Sequence, residues 1–155
     1  MPRKAHIFGI SMVLNASVER LWPYLSDTDR TNRLLGLPAS EQAITTPDYR
    51  RNISGHFMGL PVQWHETPFE WMFERFFEVA RHFDAPFPIA SLITRTSLHA
   101  IDAEHTRVDV EVRLRQRNPL GGHPAKLFTQ HVFLRDMRRL YQQLAVLAVT
   151  GPEYI

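Results

Sequence analysis

The segment at residues 64–83, WHETPFEWMFERFFEVARHF, constrains the fold more than any other, because seven of its twenty residues are Trp or Phe. Side chains at alternate positions share one face of a strand, so this spacing predicts a long, curved antiparallel strand or a strand pair rather than a helix. The predicted face carries five apolar and two basic side chains: Trp71, Phe73, Phe77, Val79 and Phe83, with Arg75 and Arg81.

Arg75 and Arg81 lie among aromatic side chains, where a guanidinium group is costly to bury unless it is paired or stacked. Four glutamates of the same segment are candidate partners: Glu66, Glu70, Glu74 and Glu78. Two interpretations stay open. The segment is either a sheet core whose arginines extend toward solvent, or the wall of a ligand cavity that recognises a polar head group.

Length and composition predict one globular domain over residues 1–155, since 44% of the residues are hydrophobic. No apolar run approaches the ~18 residues of a membrane span. The absence of cysteine excludes disulfides, thiolate metal ligands and cysteine nucleophiles, and it is consistent with a cytoplasmic protein.

Sixteen of the 18 basic residues are Arg, which stays charged far above neutral pH. The isoelectric point of 9.3 with a net charge of only +2 therefore does not predict a nucleic-acid partner.

The order of elements predicts an α+β fold, with a curved antiparallel sheet of about six to seven strands and a long C-terminal helix packed across it. Two short helices follow the first strand; Ser17 caps one of them, and Leu34 and Leu35 face the core from the other. Strands are predicted at 6–14, 39–46, 49–57, 60–66, 89–101 and 106–116, besides the aromatic segment, and the long helix at 125–149.

The long helix carries an apolar stripe that predicts its contact with the sheet. The stripe comprises Val132, Phe133, Met137, Leu140, Tyr141, Leu144, Leu147 and Ala148. The space between sheet and helix is either filled by side chains or left as a cavity. The candidate cavity residues are Trp64, Glu66, Trp71, Phe73, Arg75, Phe77, Arg95, Phe133, Met137 and Tyr141.

Other motifs do not predict a metal, a cofactor or covalent catalysis. Residues 65–69, HETPF, begin like a zinc-protease signature, but the second histidine is missing and Pro68 prevents the required helix. Residues 121–123, GGH, lack the lysine of a phosphate-binding loop. No serine lies in a nucleophile elbow.

Residues 13–22, VLNASVERLW, residues 25–30, LSDTDR, and the closing helix resemble the START/SRPBCC superfamily. Its helix-grip fold is shared by lipid-transfer domains, polyketide cyclases and the birch-pollen allergen, and the resemblance spans nearly the whole chain. Residues 27–33, DTDRTNR, and 64–71, WHETPFEW, with Arg75, resemble a bacterial subgroup in which the domain often precedes a class III adenylate/guanylate cyclase domain. The chain ends at Ile155, so the resemblance implies a stand-alone relative or an N-terminal module without cyclase activity.

Three functions are compatible with this interpretation, and we favour the first. It is a non-enzymatic binding or sensor domain that holds a hydrophobic or amphipathic small molecule, such as a lipid or polyketide-like compound, between sheet and helix. The second is a cyclase/aromatase-like or related enzyme, which requires a polar pair inside the cavity, such as Glu66 with Arg75 or His99 with Arg95.

The third function is an interaction or regulatory module with a filled core and an exposed apolar patch. Its partner is a fused or adjacent cyclase-type domain or a second copy of the chain. A homodimer through the outer face of the sheet is expected because Phe76 would otherwise be exposed.

Overall fold

Eight antiparallel strands form one sheet in the computed structural model, which describes residues 5–28, 30–31, 42–45, 47, 51–57, 59–67, 70–118, 124, 126–127 and 129–151. Seven strands follow each other in the order β1-β8-β7-β6-β4-β3-β2, and β5 pairs with β6. The strands are β1 (His6–Leu14), β2 (Gln42–Thr45), β3 (Arg51–Phe57), β4 (Leu60–Glu66), β5 (Glu70–Met72), β6 (Phe76–Phe83), β7 (Ile89–Ala100) and β8 (Thr106–Gln116). The predicted α+β class and antiparallel sheet are confirmed.

Helix α1 (Val18–Leu25) follows β1, as predicted. The Ser17 side chain accepts a hydrogen bond from the backbone N–H of Arg20, and Glu19 lies in the first turn, where the helix dipole favours a negative charge. The predicted second helix with Leu34 and Leu35 lies outside the described residues, as does the loop at 121–123.

The closing helix begins with a π-helical turn (Thr129–Phe133) and continues as α2 (Leu134–Thr150). It ends at Gly151, whose backbone N–H donates to the Leu147 carbonyl. A Cβ at position 151 would lie only 2.5 Å from that carbonyl oxygen, so glycine is required by the close approach.

Alternation along β8 places one face of the strand in the core, as the sequence predicts. Its inner side chains are Val108, Val110, Val112 and Leu114, all fully or almost fully buried. They pack with α1 and α2, where Leu21, Tyr141 and Leu144 are equally inaccessible. Each such side chain contributes roughly 1.5–3 kcal/mol of burial free energy, so this layer holds the helices on the sheet.

Leu147 was predicted to face the sheet, and this prediction is wrong, because its side chain is about half exposed. The buried stripe instead includes Leu134 and Ala145 beside Met137, Tyr141 and the other predicted positions. Position 147 is three residues from both 144 and 150 along the helix. Its side chain therefore lies at the edge of the buried stripe, on the side that faces solvent.

The aromatic segment contains the end of β4 and the β5–β6 hairpin, so the predicted strand pair is confirmed and the predicted single long strand is wrong. A turn at residues 73–75 separates β5 from β6, and Glu74 adopts a left-handed backbone with φ of 56°. Phe77, Val79 and Arg81 keep the predicted inward direction on β6. The prediction that Phe73 and Arg75 continue the same strand face is wrong, since the chain reverses there. No helix among the described residues is long and apolar enough to cross a membrane.

Candidate functional site

A buried carboxylate joins three strands on the inner face of the sheet. In the strand register Glu66 of β4 lies opposite Arg51 of β3 and opposite Arg81 of β6. Directly opposed residues of antiparallel strands bring their side chains together on one face, so the register itself creates this cluster. The Glu66 and Arg81 side chains are each only 8% exposed, so both charges have left water.

Glu66 is held from several sides. Its Oε1 accepts a hydrogen bond from the Trp64 indole Nε1 at 3.2 Å and lies 3.6 Å from Arg81 Nε. Its Oε2 lies 3.7 Å from Arg51 Nη1. Buried charges require such partners, because an isolated ion in the core would be strongly destabilising.

A small void lies beside this cluster, between β6, β7 and the closing helix. Its volume is about 20 Å³, close to the roughly 10–15 Å³ needed for one water molecule. The lining combines apolar side chains with polar ones: Phe77, Phe133 and Met137, with Arg81, Thr94 and Tyr141. Thr28 and Thr31, which follow α1, complete one side.

The hydroxyl groups at this void differ in how they are bonded. Tyr141 Oη and Thr96 Oγ1 are 3.0 Å apart and share a hydrogen bond. Thr94 Oγ1 is buried and has no hydrogen-bond partner among the described residues. A buried hydroxyl without a partner costs roughly 1–3 kcal/mol, so Thr94 offers a polar contact that the chain leaves unused.

Burial raises the pKa of Tyr141 to about 12, although the hydrogen bond with Thr96 and the positive charge of Arg81 act in the opposite direction. The phenol therefore remains protonated at neutral pH and can serve as a hydrogen-bond donor. The void is thus lined both by a cation and hydroxyl groups and by two aromatic rings and a thioether.

Six of the ten candidate residues are buried in the interior. Trp64 and Glu66 lie on β4, where Trp64 packs in a small cluster with Ile53 and Val62, and Phe77 lies on β6 in the main core cluster. The other three are on the closing helix: Phe133, Met137 and Tyr141.

The other four candidate residues lie outside the interior. Trp71, Phe73 and Arg75 are exposed at the β5–β6 hairpin. Arg95 is on the outer face of the sheet, where its guanidinium group lies 3.9 Å from the centre of the Phe76 ring.

Neither polar pair proposed from the sequence converges inside the core. Arg75 is in the exposed turn, and Glu66 contacts Arg81 and Arg51 instead. His99 and Arg95 both lie on the outer face, where His99 Nε2 is 3.2 Å from Asp109 Oδ2.

Sequence reasoning did not select Arg51, Arg81, Thr94 or Thr96 as site residues. Arg81 was on the predicted aromatic face, and its position on that face was the only available signal. The other three become neighbours of Glu66 or Tyr141 only through the strand register and the placement of the helix.

A chain of aromatic contacts connects the hairpin with the void. The Trp22 ring of α1 lies 5.6 Å from the Phe73 ring and 6.0 Å from the Phe77 ring, in edge-to-face geometry. Phe77 lines the void, whereas Phe73 is more than half exposed. Trp22 therefore separates solvent from the interior on this side.

A metal site is not formed by the described residues, since no three of their His, Asp or Glu side chains approach closely enough to bind one ion. The polar groups that line the void are instead a guanidinium and hydroxyls. They suit hydrogen bonds to an oxygen-bearing organic group.

Comparison with known proteins identifies the fold. No family model and no curated protein matches the chain. Norcoclaurine synthase from Thalictrum flavum, in complex with dopamine and hydroxybenzaldehyde, matches with a TM-score of 0.66 and 11% identity over 97% of this chain and 90% of that chain. The Zhui aromatase/cyclase from Streptomyces sp. R1128 matches with a TM-score of 0.56 and 13% identity over 94% and 88%.

The protein Ara h 8.0201 matches with a TM-score of 0.62 and 11% identity, over 95% of this chain and 99% of that chain. At such identities the likeness establishes the fold alone. The predicted helix-grip fold is confirmed, and the narrower likeness to the cyclase-associated subgroup stays a prediction.

Proposed function

We propose that this chain is a non-enzymatic binding domain for a small amphipathic molecule held between the sheet and the closing helix. The observation that carries the proposal is the buried hydroxyl of Thr94, which has no hydrogen-bond partner among the described residues and lies at a void also lined by Arg81 and Tyr141. A ligand oxygen would satisfy this hydroxyl and recover part of its desolvation cost. The expected polar end of the ligand is a carbonyl, carboxylate or phenol.

The apolar end of the ligand would contact Phe77, Phe133 and Met137. Ligand pockets typically enclose roughly 300–1,000 Å³, so the void of about 20 Å³ must enlarge when a molecule enters. The closing helix is suited to this change. Met137 has a flexible side chain, and Phe133 lies in the π-helical turn, an irregularity that often accompanies functional sites.

Two of the structural neighbours support this class of ligand. Dopamine and hydroxybenzaldehyde, bound by norcoclaurine synthase, are small aromatic molecules that carry oxygen. The Zhui protein is named an aromatase/cyclase. By analogy, we infer that an aromatic or polyketide-like compound is a better candidate for this interior than a long lipid chain.

Catalysis has less support than binding. Glu66 accepts the Trp64 indole N–H and faces two guanidinium groups, an arrangement that holds the carboxylate in place. The polar pairs proposed from the sequence for acid–base chemistry do not meet in the interior. A role as a sensor or as a module beside a cyclase-type domain remains compatible with binding.

The test begins with mass spectrometry of an organic extract from purified protein, compared with the native-state mass. Compounds that co-purify, and hydroxybenzaldehyde as a defined probe, are then titrated into the protein while Trp fluorescence is recorded. We expect Thr94→Val to weaken binding about 5- to 10-fold, because about 1 kcal/mol of hydrogen bonding is lost.

Thr94→Ser is the matched control, because it keeps the hydroxyl and removes only a methyl group. It should bind nearly as well as the wild type. Equal affinity of Thr94→Val and wild type, or the absence of any bound or titratable compound, would contradict the proposed site.

A further inference from the structure

Strand β1 forms one edge of the sheet. It pairs with β8 on one side, and no described strand pairs with its other side. Soluble proteins usually protect such an edge with a charged side chain, a proline, a bulge or a short strand. β1 has nine residues, HIFGISMVL, without Asp, Glu, Lys, Arg or Pro, and its register with β8 is regular. Within the described strand, β1 therefore has no charged side chain, proline or bulge that would protect the edge.

The edge also carries exposed apolar side chains. Ile7 is 64% exposed and Val13 is 54% exposed, both on the outer side of β1. Near the end of the strand, a groove of about 390 Å³ runs between β1 and α2. Its lining includes Val13 with the exposed Val146 and Val149 of the helix. An uncharged backbone edge thus continues into an apolar groove.

The sequence of β1 is complementary to itself. An antiparallel pair of two copies centred on Ile10 places Ile7 opposite Val13 of the second copy, and Gly9 opposite Ser11. All nine residues obtain a partner, over about 30 Å of strand. A shift of two residues places Ile7 opposite Ser11 or Gly9 opposite Val13 and leaves strand ends unpaired. A shift of one residue would place outward-facing side chains of one copy opposite inward-facing side chains of the other.

Charge favours a second copy as the occupant of this edge. Around a two-fold axis each surface meets itself, so a charged edge would repel its own copy, whereas β1 contains no Asp, Glu, Lys or Arg. On the neighbouring β8, Arg107 lies 3.3 Å from Asp109 and Arg113 lies 3.3 Å from Glu111. Because positive and negative side chains alternate there, the surface beside the edge does not carry charge of one sign that would repel a second copy.

We propose that the chain forms a two-fold symmetric dimer in which β1 strands of two copies pair antiparallel about Ile10 and make one continuous sheet. This dimer differs from the one expected through Phe76, because Phe76 is half-buried beneath Arg95. The inference is independent of the proposed ligand.

Sedimentation equilibrium over a range of concentrations tests the dimer, against a chain mass of 18.1 kDa. We expect the wild type to approach twice this mass. Ile7→Lys and Val13→Lys should each raise the dimer Kd about tenfold or more, because each removes two apolar contacts by symmetry. Met72→Lys, at an exposed apolar position on the β5–β6 hairpin, is the matched control and should leave the Kd unchanged.

Cysteine cross-linking tests the register separately, because the chain has no cysteine of its own. Ile10→Cys places two thiols directly opposite each other at the two-fold axis and should give a disulfide-linked dimer under mild oxidation. Met72→Cys should remain monomeric on a denaturing gel. A monomer at all concentrations overturns the proposal. A dimer that tolerates Ile7→Lys and does not cross-link through residue 10 also overturns it, because its interface then lies elsewhere.

Discussion

The ion pair of Glu66 and Arg81 should behave as one energetic unit. Removal of one partner from a buried pair costs roughly 3–5 kcal/mol, because the remaining charge stays buried. Arg51 also faces Glu66 and is partly exposed, so we expect the lower end of this range for Arg81→Met. Glu66→Gln should cost about the same, about 3 kcal/mol. A domain of this size has roughly 5–15 kcal/mol of total stability, so either change is large.

The double variant Glu66→Gln/Arg81→Met should cost no more than either single change, about 3 kcal/mol rather than the sum of about 6, because it removes both buried charges. Urea unfolding followed by circular dichroism measures these values. With a slope of about 2 kcal/mol per molar, each single change should lower the midpoint by about 1.5 M.

Arg135→Met/Asp136→Asn is the control cycle, since this exposed pair, with Arg135 Nε 3.0 Å from Asp136 Oδ1, should contribute less than about 0.5 kcal/mol. Additive effects of Glu66→Gln and Arg81→Met, within about 0.5 kcal/mol, would refute the inference that the two charges depend on each other.

Three further predictions concern the helix, the hairpin and pH. Phe133→Ala and Met137→Ala should each cost roughly 2–5 kcal/mol in urea unfolding, and Leu147→Ala, at an exposed position, less than about 0.5; equal effects would mean that the helix packs differently. Arg75→Ala should leave the thermal midpoint unchanged, because Arg75 is exposed in the turn, and a fall of several degrees would indicate a buried partner. The pKa of Tyr141 is raised to about 12 from the ordinary 10. The contribution of the Tyr141 hydroxyl to the free energy of unfolding is therefore fully present below pH 10 and is lost as the pH rises toward 12. Tyr141→Phe should consequently reduce the fall in the free energy of unfolding between pH 9 and pH 11.

Much of the fold could be predicted because local patterns and tertiary packing agree. The alternation of Val108, Val110, Val112 and Leu114 indicates a strand with one buried face, and the strand lies as expected. Ser17 caps α1 at the predicted position. The amphipathic stripe of the closing helix identified the residues that face the sheet, with Leu147 as the exception.

The position of the turn within the aromatic segment could not be predicted. Glu74 takes the left-handed conformation that usually requires Gly or Asn, so the turn carries no recognisable residue signal. In the sequence, aromatic, apolar and basic side chains recur at every second position from 71 to 83, although the chain reverses at 73–75. Trp71, Phe73 and Arg75 were therefore grouped with Phe77 on one strand face, although Phe73 and Arg75 belong to the turn.

The polar cluster could not be predicted because it depends on strand register. Glu66 meets Arg81 only through the pairing of β4 with β6, two strands that are separated along the chain by β5. Arg95 was placed inside by its position in an apolar strand. It lies opposite Glu78 in the register and shares the outer face with it. A change of one residue in register would exchange the two faces.

The two walls of the candidate site differ in how easily they can adapt. On the sheet, Arg81 and Thr94 belong to adjacent paired strands, and Arg81 is held near Glu66. On the helix, Phe133 lies in a π-helical turn and Met137 has a flexible side chain. Enlargement of the void should therefore require less free energy on the helix side than on the sheet side. If the proposed function is correct, binding should be strict for the oxygen-bearing end of a ligand and tolerant of the size of its apolar body. Thr94→Val should then weaken a series of ligands by a similar factor, whereas Met137→Leu should change their order of affinity.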